Sequence, residues 1–481
     1  MLFSSITFLI FFLPITLLVY YYCPFIRVKN YFLLFASLIF YAWGEPKYVL
    51  IMLFSIALNY RMGLWIGETS YTASKRKIVL AAAITANLLL LFYFKYLGFA
   101  ERVLNKIALF FNHAEFTVSI SDIALPIGIS FYTFQSISYL VDVYKKPALI
   151  QKNLLDIGLY ISFFPALIAG PIVRYHDVSE QIKNRPHRLD LFVQGVERFI
   201  IGLSKKVLIA NTLAEVADNI LVLVPNSVSA FYLLLGIVSY SLQIYYDFSG
   251  YSDMAIGLGK MFGFDLRENF NYPYMSKSIT EFWRRWHISL SSWFKDYLYI
   301  PLGGNRKGKA RTILNLFVVF FATGLWHGAA LHFVFWGLGH GVLLFLEKTF
   351  GKKINRVFKD GAAKSVLSHI YTLCSIMLLW VLFTLSIRDT AHFIKDLFFL
   401  NDGNVSANIR IKISIGTQFY VSLVFAVIFA FPWWRKIKTL HSTSKTKLFS
   451  HIRYAVLPVL LILSMCMLAT NAYNPFIYFR F

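Results

Sequence analysis

Apolar runs of roughly 15–20 residues recur along the chain, at 8–22, 48–66, 78–97, 230–246, 313–327, 419–434 and 455–469. A membrane-crossing helix needs about 20 such residues, fewer where aromatic flanks extend it, so each run predicts a helix of a polytopic membrane protein. Short basic stretches punctuate them: Arg27 and Lys29, Lys75–Arg76–Lys77, Lys145–Lys146, RKGKAR at 306–311, KKINRVFK at 352–359 and RKIKTLHSTSKTK at 435–447. Cations of this kind collect on the cytoplasmic side. Their alternation with poorly charged turns such as GEPK puts the N-terminus outside the cytoplasm. The first run lacks a basic leader and a small-x-small cleavage site, so it reads as a retained helix.

The alternation fails between 154 and 300. There DIGLYISFFPALIAGPIVRY is interrupted by Pro165 and by Gly170-Pro171, and the basic KNRPHR follows. A re-entrant segment returning to the cytoplasm resolves the conflict, provided its irregular backbone is buried in protein or lines a cavity. Segments 190–218 and 264–300 are too polar for lipid and read as amphipathic or embedded helices. QIYYDFSGYSDMAIGLG, 243–259, reads as a broken helix lining a polar centre; its two carboxylates lack a nearby histidine, so no metal site is assigned. With no internal repeat, low-complexity tract or flexible linker, residues 1–481 form one integral domain.

Composition supports the membrane assignment. Hydrophobic residues make up 58% and charged residues 15%, against roughly 45–50% apolar in soluble domains. The net charge of +23 suggests nucleic acid in a soluble chain; here the cytoplasmic loops account for it, and no nucleic-acid partner is expected. Cys23, Cys374 and Cys466 lie far apart in or beside apolar runs and are expected to be buried hydrophobes.

Chemistry concentrates in two places. In EFWRRWHISLSSWFKDYLYIPLGGN, from Glu281, a single helix over 281–295 puts Trp283, His287, Leu290, Ser291 and Phe294 on one side. Arg284 and Arg285 fall elsewhere, with Glu281 four residues before Arg285. An interfacial helix with aromatic anchors and snorkelling cations explains everything but the histidine. The second place is FFATGLWHGAALHFVFWGLGHG, 320–341, a tight helical hairpin. If its first helix starts near Ile313, His327 lies about 21 Å into a core of about 30 Å, and an ionisable residue at that depth is a functional hypothesis by default. Gly324 and Gly328 form a small-xxx-small pair that permits close helix approach. A structural interhelical hydrogen bond is the plainer alternative for His327, and more so for His332 and His340. The chain has no G-x-S-x-G, H-E-x-x-H, P-loop or C-x-x-C motif, which removes most support for serine hydrolysis, zinc proteolysis and ATP-driven transport. A single imidazole acting as general base remains open.

With these residues in view, the chain resembles the membrane-bound O-acyltransferase family, in its alginate and peptidoglycan O-acetyltransferase branch. The matching stretches run in the family's order from the N-terminus to about residue 345. They include FYAWGEPKY, LPIGISFYTFQSISYLVDVYK, LIAGPIVR, GLSKKVLIAN, DFSGYSDMAIGLG, FWRRWHISLSSW and GLWHGA. The resemblance implies an all-α fold, a ring of about 10–12 tilted transmembrane helices around a central core with embedded segments and a tunnel. It implies His327 as catalytic base and His287 as a second active-site residue, with Trp326, Trp283 or Ser291 supporting the oxyanion. It further implies a thioester donor, acetyl-CoA, whose phosphates would meet Arg284, Arg285, Lys205, Lys206, Arg306 and Lys307, and no resident cofactor or metal. The acceptor would be a surface polysaccharide such as alginate or peptidoglycan, reached directly or through a periplasmic SGNH-type transferase. The setting would be lipid of the bacterial inner membrane. A transporter or flippase, a D-alanyl transfer protein and an export scaffold are the competing readings.

Overall fold

The computed structural model describes residues 1–111, 123–146, 149–357, 361–433, 446–470 and 473–476, and among them the chain is entirely helices and turns. The basic stretch at 435–447 lies almost wholly outside the described residues, as do the side chains of the one at 352–357. Among the described residues, four helices are long and apolar enough to cross a membrane on their own: Val49–Gly67, Ala73–Phe110, Gly308–His327 and Ala362–Thr384. A fifth candidate, Val405–Ser414 with Thr417–Phe429, is bent by 78°. Other helices in the apolar runs are shorter, or carry polar side chains turned inward.

The chain forms two compact units. The first comprises Met1–Gly195, Leu258–Arg267 and Gly328–Ala330. Its helices are α1 (Leu13–Tyr22), α2 (Ile26–Gly44), α3 (Val49–Gly67), α4 (Ala73–Leu91), α5 (Leu97–Phe110), α6 (Ile129–Lys145), α7 (Leu154–Ser162), α8 (Phe164–Leu167) and α9 (Tyr175–Lys183). The side chains of Asn59 on α3 and Asn87 on α4 exchange hydrogen bonds at 3.1 and 2.8 Å, a polar tie suited to helices that hydrophobicity alone cannot drive together in lipid. The interruption expected at Pro165 is present: α7 ends at Ser162, Phe163 leaves helical geometry, and the chain after α8 turns at 168–170 and then runs without regular structure to Arg174. Every residue from 157 to 175 is buried, the condition under which irregular backbone survives in a membrane protein. The KNRPHR segment is pinned by Arg185, which donates to the Tyr20 hydroxyl, to Asn30 Oδ1 at 2.8 Å and to the Phe262 carbonyl at 2.9 Å.

The second unit comprises Val196–Gly257, Glu268–His327 and Leu331–Phe481. It takes in α10 (Leu189–Ser204) from Val196, α11 (Asn211–Leu221), most of α12 (Ala230–Met261), α13 (Ile279–Arg285), α14 (Ile288–Phe294), α15 (Gly308–His327), α16 (Leu331–Val357), α17 (Ala362–Thr384), α18 (Ile387–Phe398), α19 (Val405–Ser414) and α20 (Thr417–Phe429). The expectation of a broken helix over 243–259 is corrected here, because α12 runs without interruption. Its carboxylates do not need to unwind the backbone, since cations from the neighbouring segment meet them. A Cβ on Gly202 would lie 2.6 Å from the Gly250 carbonyl oxygen, so these two positions must be bare for the segments to cross. The crossing brings Lys206 to 2.8 Å from Asp247, and Lys205 and Arg198 to 2.6 and 2.8 Å from Asp253.

The expected hairpin is α15 and α16 joined by three residues. Gly324 packs against Gly337 across it, and Gly328 belongs to the connection. A Cβ on Gly337 would meet the Phe320 carbonyl at 2.2 Å, and one on Gly324 would meet the Phe333 carbonyl at 2.4 Å. The first helix begins at Gly308, five residues earlier than expected, so His327 is its last residue, about 30 Å along it. Cys374 and Cys466 are exposed on their helices and Cys23 is half-buried; none is the buried core residue expected, because the faces they occupy point out of the protein.

Candidate active site

The single helix expected over 281–295 is two helices, and the break is at the histidine. The first, α13, starts from a polar knot. Ser278 accepts from the Glu281 N–H at 3.0 Å, and Glu281 accepts from the Lys277 N–H at 2.9 Å. The Glu347 carboxylate of α16 accepts from the N–H groups of Ile279 and Thr280 and from the Thr280 hydroxyl, at 2.6, 3.0 and 2.7 Å. Three otherwise orphaned helix-end donors are thereby satisfied. The predicted Glu281–Arg285 pair forms at 2.9 Å, and Arg285 also donates to the Asn271 carbonyl. Then Trp286 turns extended and His287 takes φ +43° and ψ 54°, left-handed geometry that costs a non-glycine residue about 1 kcal/mol or more.

Asn269 holds this corner. Its Oδ1 receives the Ser289 N–H at 3.1 Å and the Ser289 hydroxyl at 2.9 Å, and lies 3.2 Å from His287 Nδ1. A backbone N–H only donates, which identifies the facing atom as the amide oxygen. The His287 contact is then Nδ1–H donating, and a neutral imidazole carries its lone pair on Nε2. That nitrogen is buried and has no hydrogen-bond partner among the described residues. The ring stands edge-on to Phe248 at 4.6 Å and at 5.8 Å from Trp326.

His327 is placed by packing. Its ring meets Trp326 at 5.0 Å, Trp336 at 4.9 Å and Phe383 at 5.3 Å, each near perpendicular. The Trp326 indole therefore packs between both predicted histidines, His287 at the break between α13 and α14 and His327 at the end of α15. Next to this chamber, α13, α14, α15 and α16 enclose a cavity of about 260 Å³, lined by Trp283, Arg284, Leu290, Ser291, Phe294, Val319, Phe320 and Thr323 among others. Of the helical face expected over 281–295, Trp283, Leu290, Ser291 and Phe294 line this cavity. The break turns His287 away from them.

Residues 145–388 match the sequence profile of the membrane-bound O-acyltransferase family. The chain is 38% identical over its whole length to the whole of the probable alginate O-acetylase of Pseudomonas putida. It is 38% identical to the peptidoglycan O-acetyltransferase of Helicobacter pylori, over 80% of this chain and 77% of that one. Similarity to the teichoic acid D-alanyltransferase of Bacillus subtilis is lower, 29% over 60% of this chain and 74% of that one. The chain belongs to the membrane-bound O-acyltransferase family. It is a multi-pass membrane protein and an O-acyltransferase, and the transporter and scaffold readings give way to this one.

In this acyltransferase the remaining expected site residues divide by their partners. Lys206, expected to meet a donor phosphate, is instead buried against Asp247 and Asn211 Oδ1, and Lys205 is held by Asp253. Both cations are paired with carboxylates, Lys206 buried and Lys205 half-buried. Arg285 is likewise committed to Glu281, whereas Arg284 is exposed at the cavity, and Arg306 and Lys307 are exposed on the turn before α15. Trp283, expected as an oxyanion donor, gives its N–H to His340 Nδ1 at 3.2 Å, the interhelical role expected for His340. The aromatic walls Phe248, Trp336 and Phe383 and the organiser Asn269 carried no signal in the sequence; only the position of Asn269 in the polar run ENFNYPY hinted at a buried amide.

Proposed function

We propose that the protein transfers acetyl groups from a cytoplasmic thioester, acetyl-CoA, to a hydroxyl of a cell-surface polysaccharide such as alginate or peptidoglycan, across the bacterial inner membrane. The observation that carries the proposal is the convergence of His287 and His327 on the Trp326 indole in a buried aromatic chamber. The names of its relatives in Pseudomonas putida and Helicobacter pylori supply the acetyl group and the class of acceptor.

His327 removes the proton of the acceptor hydroxyl, and the oxygen attacks the thioester carbonyl. The tetrahedral oxyanion takes a hydrogen bond from Trp326 Nε1–H, a group that can only donate. Collapse breaks the carbon–sulfur bond, and the departing thiolate takes the proton from His327. Neutral His287 offers a lone pair at Nε2, so it serves as a hydrogen-bond acceptor near the attacking hydroxyl rather than as an oxyanion donor. Arg284, Arg306 and Lys307, the exposed cations of the expected donor set, receive the donor's phosphates. The N-terminus lies outside the cytoplasm, and the acetyl group passes to the glycan directly or through a periplasmic SGNH-type transferase.

The test uses membranes containing the protein, radiolabelled acetyl-CoA and the glycan acceptor, with and without the periplasmic transferase. His327→Ala should abolish acetyl transfer while the protein still elutes as a single species in detergent. Full transfer by that variant would sink the assignment of the base. D-alanyl transfer is the second reading, favoured only by the weaker similarity to the Bacillus subtilis protein; label moving from a D-alanyl carrier thioester and not from acetyl-CoA would establish it.

A further inference from the structure

We infer that His340 is a positioning residue for acyl transfer: its Nδ1 holds the Trp283 indole as the partition between the cavity at α13–α16 and the pocket of His327. The inference rests on the acetyl-transfer reading above and adds a residue to it that neither the family motifs nor the mechanism uses.

Trp283 has two sides. One lines the 260 Å³ cavity together with Arg284 and Ser291. The other packs on Trp336 at 6.0 Å, whose own ring stands 4.9 Å from His327. A molecule moving from the cavity toward His327 therefore meets Trp283 and then Trp336. The indole is hung in place by one polar contact, Nε1–H to His340 Nδ1 at 3.2 Å, with the two rings nearly perpendicular at 81°. His340 itself is fully buried and is gripped by Trp336 at 4.9 Å, so it has no freedom of its own.

The chemistry fixes the tautomer. An indole N–H only donates, so Nδ1 must be the acceptor and the His340 proton sits on Nε2. That is the reverse of His287, whose proton sits on Nδ1. Removing the acceptor would leave a buried indole N–H without a partner, next to a cavity large enough to receive part of the ring. The partition would then turn, and water from the cavity would reach the thioester. Water attacking the carbonyl gives acetate and free thiol, so the loss of positioning reads out as donor hydrolysis as well as slower transfer.

The experiment exploits the geometry of amide side chains. His340→Asn places an oxygen near the position of Nδ1, and His340→Gln places one near Nε2. His340→Leu removes the acceptor, and Trp283→Phe removes the donor while keeping an aromatic ring. Each is assayed in membranes for kcat and donor KM of acetyl transfer, and for acetyl-CoA hydrolysis without acceptor, beside wild type and His327→Ala. The expected result is a kcat lower by about tenfold in His340→Leu, His340→Gln and Trp283→Phe. Donor KM should change little, and hydrolysis should rise several-fold. His340→Asn should stay near wild type, and the His340→Leu/Trp283→Phe pair should be no worse than either single variant. Rescue by Gln instead of Asn, an additive double variant, or unchanged kcat and hydrolysis in Trp283→Phe would each overturn the inference. Wild-type membranes without acetyl transfer, or full transfer by His327→Ala, would sink the acetyl-transfer reading instead, and this inference with it.

Discussion

The two histidines of the chamber are positioned by opposite means. His287 sits at a corner made by hydrogen bonds and a left-handed backbone between two seven-residue helices. His327 ends a regular 20-residue helix and is oriented by rings and by the close packing of two glycines. Hydrogen bonds select a tautomer and an in-plane direction; ring packing selects a location. In the proposed reaction one of the two binds the acceptor hydroxyl and the other moves its proton, and the two modes of positioning suit those two tasks.

The largest expected effect comes from attacking the packed side. Gly337→Ala would set a Cβ 2.2 Å from a backbone carbonyl that cannot swing aside, and overpacking of this kind costs about 3 kcal/mol. Fluorescence-detected size exclusion should show little folded protein; a normal profile would mean that the hairpin is looser than its geometry. Next is the hydrogen-bonded side. Asn269→Ala removes the acceptor for His287 Nδ1 and two Ser289 donors, and transfer should fall about 100-fold, the scale of losing one correctly held imidazole, with the protein still purifiable. Asn269→Asp keeps the acceptor oxygen and should recover part of that rate; equal rates for the two variants would remove Asn269 from the argument.

A smaller effect tests the backbone. His287→Ala and His287→Gly should both lose transfer, but the glycine variant should melt no lower, because it relieves a left-handed strain of about 1 kcal/mol. A glycine variant much less stable than the alanine one would show that the corner is unstrained. Smallest should be Glu347→Gln, which weakens the charged cap on α13 by about 1 kcal/mol and lowers transfer only a few-fold. A large loss there would mean that the α13–α16 tie sets the position of Trp283 more than His340 does.

The two histidines stood out in the sequence, His287 in a polar stretch between apolar segments and His327 as an ionisable residue deep in an apolar helix, and the hairpin stood out because its aromatic and glycine pattern runs without interruption. The corner at His287 was not legible. FWRRWHISLSSW satisfies helical spacing throughout, and nothing local announces that Asn269, 18 residues earlier, will accept from Ser289 and from the ring. The fate of the lysines was also hidden. GLSKKVLIAN reads as a basic patch for a ligand, while its partners Asp247 and Asp253 are more than forty residues away and meet it only because Gly202 and Gly250 let the segments cross. Long-range pairing of charges leaves no local periodicity to read.

The same pairing bears on how the protein responds to the voltage across its membrane. Lys206 with Asp247 sums to zero, and so does the group of Arg198, Lys205, Asp253 and Glu268. An unbalanced charge carried through the full field is worth about 2.3 kcal/mol per 100 mV, whereas neutral clusters that move together couple to it weakly. These two clusters therefore offer the electric field no net charge, and collapsing the potential with an ionophore should leave the turnover set by them unchanged.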